Sequence, residues 1–335
     1  MRSYHIDQVG SLDHLQCREH DAPEPGPGEV QVRVRANSLN ARDLSIMLGT
    51  YPLAPKAGTI PLSDGAGEVS AIGKGVTRFA VGDRVAAIFH QGWVSGPRTP
   101  EHARLDLGGS INGMLAEVVC IHEEGLVRIP DSLSFEEAAT LPCAAVTAWN
   151  ALTAHGPLLP GQLVLVEGTG GVSVVATQLA RLAGARVVAL SSSAAKLERM
   201  RALGAEILIN YVEHPDWEKE VLRLTGRRGV DLAIEVVGNM DRTFKCVRIG
   251  GQISFIGRLG NREANVSLSA VQARNLRIIG IGVGSRADFE HLNRAVEAHK
   301  LRPVIDQVFE FKDAVAAYRT FEGRKFFGKI VISHG

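Results

Sequence analysis

A chain of 335 residues, with 37 Lys and Arg against 36 Asp and Glu and a 45% hydrophobic content, suits about two globular domains. The near balance of charge excludes the basic footprint of a nucleic-acid binder. No apolar run approaches the roughly 20 residues that span a bilayer.

Residues 1–7 lack the apolar core of a secretory signal, so a cytoplasmic protein with no membrane or nucleic-acid partner is expected. Cys17, Cys120, Cys143 and Cys246 show no C-x-x-C spacing and are expected to stay reduced. Glycine is the outlier: 36 of 335 residues is about 11%, against a usual 7% or so. Such residues mark turns and places where a ligand or another segment comes close.

The stretch 23–28 is too rich in Pro and Gly for a helix or a central strand. After it Val30, Val32, Val34 and Ala36 alternate with Gln31, Arg33 and Arg35, which predicts a half-buried strand. Short apolar pieces at 67–72, 84–89 and 116–121, bounded by Gly, Pro or Asp, extend this into a barrel-like β-rich domain over 1–133. At Ser134, followed by Glu136 and Glu137, a helix is predicted to start. From there the pattern changes. Strands are predicted at 163–166, 186–190, 207–209, 232–237, 253–256 and 278–281, with helices at 172–182 and 194–203. Uninterrupted apolar strands alternating with helices are what a parallel sheet covered on both faces requires. An α/β fold with a doubly wound parallel-sheet domain over 134–285 follows. The tail, 286–335, carries helical patterns at 288–299 and near 312–321 and a strand at 328–332.

Between the first strand and first helix of that second domain stands Gly168-Thr169-Gly170-Gly171-Val172-Ser173, close to G-x-G-x-x-G. The first glycine permits a tight turn and the second a close approach to a pyrophosphate. The helix start offers unpaired N–H groups to the anion, and Ser173 is small enough to pack against the strand. The following strand runs into Ser191-Ser192-Ser193, with no carboxylate until Glu198, while Lys196 and Arg199 lie close by. A carboxylate there would bond the ribose 2′-hydroxyl and repel a 2′-phosphate. Hydroxyls and a cation accept that phosphate, which favours NADPH over NADH.

Further segments widen the picture: Pro27-Gly28-Glu29-Val30, Ser63-Asp64-Gly65-Ala66-Gly67-Glu68-Val69, Val81-Gly82-Asp83-Arg84-Val85, and Leu141-Pro142-Cys143 with Thr147-Ala148-Trp149. With the glycine turn, they make the chain resemble the medium-chain dehydrogenase/reductase superfamily over essentially its whole length. The resemblance implies a β-rich GroES-like catalytic domain, a Rossmann cofactor domain, and a C-terminal return of 286–335 to the catalytic part. Zinc-dependent relatives hold their metal with Cys, His and Cys, and the matching positions here are Asn40, Ser63 and Cys143. An amide and a hydroxyl are poor partners for Zn²⁺, and the cysteine lobe for structural zinc is missing, so no metal site is expected.

The likeness is therefore to the zinc-free branch, the NADPH-dependent quinone oxidoreductases and the zinc-type alcohol dehydrogenase-like proteins. It implies hydride transfer to quinones, enones or other activated carbonyl compounds. An alcohol dehydrogenase or ketone reductase of the same superfamily, and a non-catalytic NADPH-binding sensor or structural protein, are the alternatives. Donors for the substrate oxygen are sought in Tyr51, Asn40 and His90, with Trp93 as an aromatic wall. Asp43 is read as a structural partner of Arg42 or Arg84. For the cofactor, the resemblance sets Thr147 at the nicotinamide and Gly168, Gly170, Gly171 and Val172 at the pyrophosphate. It sets Ser191, Ser192, Lys196 and Tyr211 at the adenosine ribose, and Gly238, Gly257 and Val283 at strand ends facing the ligand. A homodimer formed through the late strand 278–281 is expected from the same resemblance.

Overall fold

The computed structural model describes residues 1–257 and 266–335. The chain forms two units, Met1–Val146 with Gly284–Gly335, and Thr147–Val283.

The first unit is built on the strand Glu29–Ser38. Its alternation has the expected result: Val30, Val32, Val34 and Ala36 are buried in the core while Arg33 is exposed. It pairs antiparallel with Asp64–Ile72 on one side. On the other, Val118–His122 covers its first half and Lys329–Ser333 its last three residues. Arg84–Ala87 and Leu126–Arg128 extend the sheet beyond Asp64–Ile72, and Ile305–Glu310 extends it beyond Lys329–Ser333. Gly67 is required by this pairing, because a Cβ there would stand 2.1 Å from the carbonyl oxygen of Arg33.

Two registers place the polar residues. Ser38 is opposite both Asp64 and Val331, and Leu39 N donates to Ile330 O at 3.0 Å. The last strand is thus laid beside the exit of the first long one. Beyond it the helix Ala41–Met47 begins with Asn40 as its cap.

Among the described residues the second unit forms a six-stranded, wholly parallel sheet. Its order across the sheet is Ile207–Asn210, Arg186–Ser191, Leu163–Glu167, Val230–Glu235, Val247–Phe255 and Arg277–Gly280. Every residue of Leu163–Glu167 and of Val230–Glu235 is buried, as a strand covered on both faces demands. The predicted strand 232–237 begins two residues earlier, because Val237 and Gly238 already belong to the turn after it.

The domain boundary differs from the one expected. Residues 134–146 fall in the first unit. Ser134 caps the helix Phe135–Ala139 in a reciprocal capping box with Glu137, and that helix packs on Glu29–Ser38, Asp64–Ile72 and Lys329–Ser333. Gly284 and Ser285 also belong there, since Arg286 N donates to Trp93 O at 2.9 Å. Among the described residues no helix is long and apolar enough to cross a membrane.

Candidate functional site

The polar residues singled out in the first unit form one buried network. Asp64, fully buried, accepts from Ser38 Oγ at 2.9 Å, Ser63 Oγ at 3.0 Å and Asn40 Nδ2 at 2.8 Å. The ammonium of Lys329 lies 3.5 Å from Asp64 Oδ2 and donates to Asn40 Oδ1 at 2.6 Å and Leu39 O at 2.7 Å. Desolvation, with Asp64 adding to it, holds the Cys143 thiol above its usual range, which favours the neutral thiol over the thiolate that metals bind. Among the described residues, no group of three or more His, Cys, Asp or Glu is placed to hold a metal ion.

A second layer is built on Arg42. Its guanidinium bonds Leu107 O at 2.7 Å, Asp43 Oδ1 at 3.2 Å and the carboxylate of Asp106. Asp43 also accepts from Asn40 N at 2.8 Å, so it shapes the same turn. Burial pushes the Asp43 carboxyl up to about 6 and the charge of Asp64 adds to this, while Arg42 pulls it down. Arg84 takes no part: it bonds the carbonyls of Asp131 and Leu133.

The other catalytic candidates divide. Tyr51, half-buried, lies with its ring 5.4 Å from the Arg42 guanidinium, and its hydroxyl has no hydrogen bond among the described residues. His90 is 4% exposed. Burial, with Arg98 adding to it, lowers its ring to about 3, so it is a neutral imidazole at physiological pH, and its Nδ1 has no hydrogen-bond partner among the described residues. Trp93 is committed within its own unit, donating from Nε1 to Gly96 O at 2.9 Å.

In the second unit the glycine turn joins Leu163–Glu167 to the helix Gly171–Leu182. Gly168 has φ +74, a conformation that favours glycine. Gly170 is different. Its φ of −81 suits any residue, and a Cβ there would meet no atom of the described residues within 4 Å. Gly170 is the N-cap of this helix, a position where glycine is among the favoured residues. Ser173 Oγ donates to Glu167 O at 2.7 Å, a bond the third glycine of the usual motif could not make. Val172 stands half-buried in the first helical turn.

At the end of Arg186–Ser191, Ser191 is buried, Ser192 is exposed, and Ser193 caps the helix Ala194–Ala202 that carries Lys196 in its first turn. Tyr211 N donates to Ser191 O at 3.1 Å, which places Tyr211 beside this strand end with its side chain exposed. Thr147 is buried in the helix Val146–Thr153. Val283, a β-branched residue at φ +63, is held by Asn150 Nδ2 donating to its carbonyl at 2.6 Å. Such a conformation is costly for valine, and strain of this kind gathers at functional positions. Gly238 and Gly257 have local reasons for being glycine: φ is +99 at the first, and a Cβ on the second would stand 2.9 Å from Val236 O.

Beneath the glycine turn is a group that sequence patterns missed. Glu167 and Glu235, 3% and 0% exposed, end adjacent strands. Thr243 Oγ1 lies 3.0 Å from Glu167 Oε1, 2.7 Å from Glu235 Oε2 and 3.2 Å from Asn239 O. A hydroxyl carries one hydrogen and cannot serve three acceptors, so one carboxyl must supply a proton. Glu235 Oε1 accepts from Val237 N and Gly238 N, both at 2.8 Å. Burial and then the charge of Glu235 raise the Glu167 carboxyl well above the ordinary range, which favours its protonated form. The available signal was a glutamate just past the apolar run 163–166 and another inside the apolar run 232–237.

A β-rich unit with a buried polar network and a parallel-sheet unit with an open glycine turn define a dinucleotide-dependent enzyme. Comparison with known proteins agrees. The alcohol dehydrogenase GroES-like domain matches residues 26–131, and the zinc-binding dehydrogenase domain matches 171–298. A zinc-type alcohol dehydrogenase-like protein of Schizosaccharomyces pombe is 39% identical over 335 residues, spanning 97% of each chain. A quinone oxidoreductase of Pseudomonas aeruginosa is 31% identical over 96% of each. A putative alcohol dehydrogenase from Sinorhizobium meliloti, 39% identical, superposes with a TM-score of 0.93 over 99% of this chain and 98% of that one. The chain belongs to the medium-chain dehydrogenase/reductase superfamily and is an oxidoreductase that uses a nicotinamide dinucleotide.

Proposed function

We propose that this protein is a zinc-independent, NADPH-dependent reductase of quinones, enones or other activated carbonyl compounds. The observation that carries the reading is the Lys329 ammonium, 3% exposed and bonded at 2.6 Å to Asn40 Oδ1. Asn40, Ser63 and Cys143 hold the positions that would ligate zinc by family resemblance. Their donors do not fit the ion: the amide oxygen is taken by a cation, the hydroxyl is turned to Asp64 at 3.0 Å, and the thiol is held neutral. A buried ammonium beside them opposes a dication.

Preference for NADPH rests on the serines ending Arg186–Ser191, on the lack of a carboxylate before Glu198, and on Lys196 in the next helical turn. Gly168, Gly170, Gly171 and Val172 would receive the pyrophosphate, and Thr147 and Val283 the nicotinamide. When bound, NADPH supplies a hydride from its nicotinamide C4 to the electron-poor carbon, becoming NADP⁺, and the charge left on the substrate oxygen is discharged by a proton from water. The protein's task is to meet that oxygen with donors, for which Asn40 and Tyr51 are suited.

Stopped-flow mixing of NADPH-loaded enzyme with benzoquinone, duroquinone and cyclohexenone tests the reading. Cofactor oxidation no faster than without acceptor would sink it. The names of several relatives favour a second reading, an alcohol dehydrogenase; about one tightly bound zinc per chain, needed for turnover, would establish that instead. We also infer a homodimer paired along Arg277–Gly280, the edge strand of its sheet, where Ile278 is 38% exposed. A monomer mass in sedimentation velocity would remove that inference.

A further inference from the structure

The carboxamide of Asn40 is gripped at both ends. Lys329 Nζ donates to Oδ1 at 2.6 Å, and Nδ2 donates to Asp64 Oδ2 at 2.8 Å. An ammonium has no lone pair with which to accept, and a carboxylate no hydrogen to give. The amide therefore cannot turn over without losing both bonds and setting like against like. Asp64 is itself fixed by Ser38 and Ser63 at 2.9 and 3.0 Å, and Lys329 by Leu39 O at 2.7 Å. One hydrogen on Nδ2 is left over, with no partner among the described residues, and Asn40 retains 7% exposure.

We propose that Lys329 and Asp64 are positioning residues for carbonyl reduction, locking Asn40 with its oxygen inward so that the spare Nδ2 hydrogen meets the oxygen of the hydride acceptor. The inference rests on the reaction proposed above. A fixed donor needs no reorganisation as charge develops on that oxygen, which is where preorganisation accelerates a reaction. The buried positive charge one bond behind the amide also polarises it, strengthening the outward N–H through the chain of hydrogen bonds. Lys329 acts through Asn40, at the position where zinc-dependent relatives place a ligand.

The test is a double-mutant cycle on kcat with benzoquinone and cyclohexenone, alongside NADPH affinity by fluorescence titration. Lys329→Met is expected to lower kcat by about 10- to 100-fold, less than the roughly 100- to 1000-fold for removing an oriented donor outright, with the NADPH Kd within about twofold. Lys329→Arg, which keeps charge and donors, should recover most of the loss. In an Asn40→Ala background, Lys329→Met should cost less than about twofold more, because residues acting as a unit are not additive. A kcat for Lys329→Met close to wild type, or a full multiplicative loss on top of Asn40→Ala, overturns the proposal. Should Lys329→Met fail to fold, Lys329→Gln, which keeps a neutral donor, is read by the same criteria. A wild-type enzyme inert toward every quinone and enone fails the reaction reading and the positioning role with it. An active wild type with an unaffected lysine variant fails the positioning role alone.

Discussion

Glu167 and Glu235 end neighbouring parallel strands and converge on one threonine hydroxyl, Thr243 Oγ1, at 3.0 and 2.7 Å. Two buried carboxyls that share one donor must retain a proton between them, and here it sits on Glu167 under the nucleotide turn.

Glu167→Gln supplies that hydrogen permanently. The folded-state pKa of Glu167 is raised, so as pH climbs past the ordinary glutamate value near 4.3 the unfolded chain releases its proton while the folded one holds it. Stability contributed by this group therefore falls as pH rises from there to the folded pKa. The variant should melt about 3 °C higher at pH 7, roughly what 1 kcal/mol gives in a domain of 150–250 residues. Its melting temperature should also vary less between about pH 4 and 8, which calorimetry across that range would read. A variant that melts lower at neutral pH would contradict the protonated assignment.

Gly170→Ala separates the ligand from the fold. With no atom of the described residues within 4 Å of the new methyl group and φ at −81, the melting temperature of the cofactor-free variant should stay within about 2 °C of wild type. NADPH affinity should fall at least about tenfold, because the methyl group occupies space the pyrophosphate needs. An unchanged Kd in titration calorimetry would remove Gly170 from the site.

The pH profile of turnover should carry a limb near 6, belonging to Asp43, and none near the ordinary histidine value from His90, whose ring is lowered to about 3. Below that limb Asp43 takes up a proton, Arg42 loses a compensating charge, and kcat falls. Stability moves the other way: a raised carboxyl pKa means that folding gains as pH drops from about 6 toward the unfolded value. Asp43→Asn should erase the limb in kcat, measured from pH 5 to 8 at saturating substrate. A limb that persists in Asp43→Asn assigns it elsewhere.

Lys196→Ala should weaken NADPH binding about tenfold and NADH binding less than twofold, since the 2′-phosphate is the only group that separates them. Equal losses for both would refute its role at that phosphate.

The parallel sheet was legible because its strands are short apolar runs that need no partner to be recognised, and Gly168–Gly171 stands where the first one ends. Asn40, Ser63 and Cys143 could be named only through family resemblance. Lys329 could not be named at all. A lysine beside a glycine at the mouth of a strand reads as a surface charge, and the residue it grips lies 289 positions away. The cap at Ser134 is a local signal that marks where a helix starts and not which sheet it packs on, so residues 134–146 cluster with the first unit. The Glu167 pair escaped for the opposite reason: Glu167 stands just past the predicted strand 163–166, Glu235 falls inside the predicted strand 232–237, and neither run shows that the two strands are neighbours.

The catalytic unit is assembled from both sides of the nucleotide unit in sequence, and this sets an order of events on the ribosome. Domains fold as their residues emerge, but Met1–Val146 emerges with its sheet one edge short and with Asp64 lacking its cation. The unbroken segment Thr147–Val283 can close first. Not until the strand Lys329–Ser333 pairs beside Ser38 does the first-made part of the chain receive the lysine that neutralises its core. The amino-terminal half is the last to be finished, and a nascent chain stalled before that strand would hold a nucleotide-binding unit attached to an uncompensated buried acid.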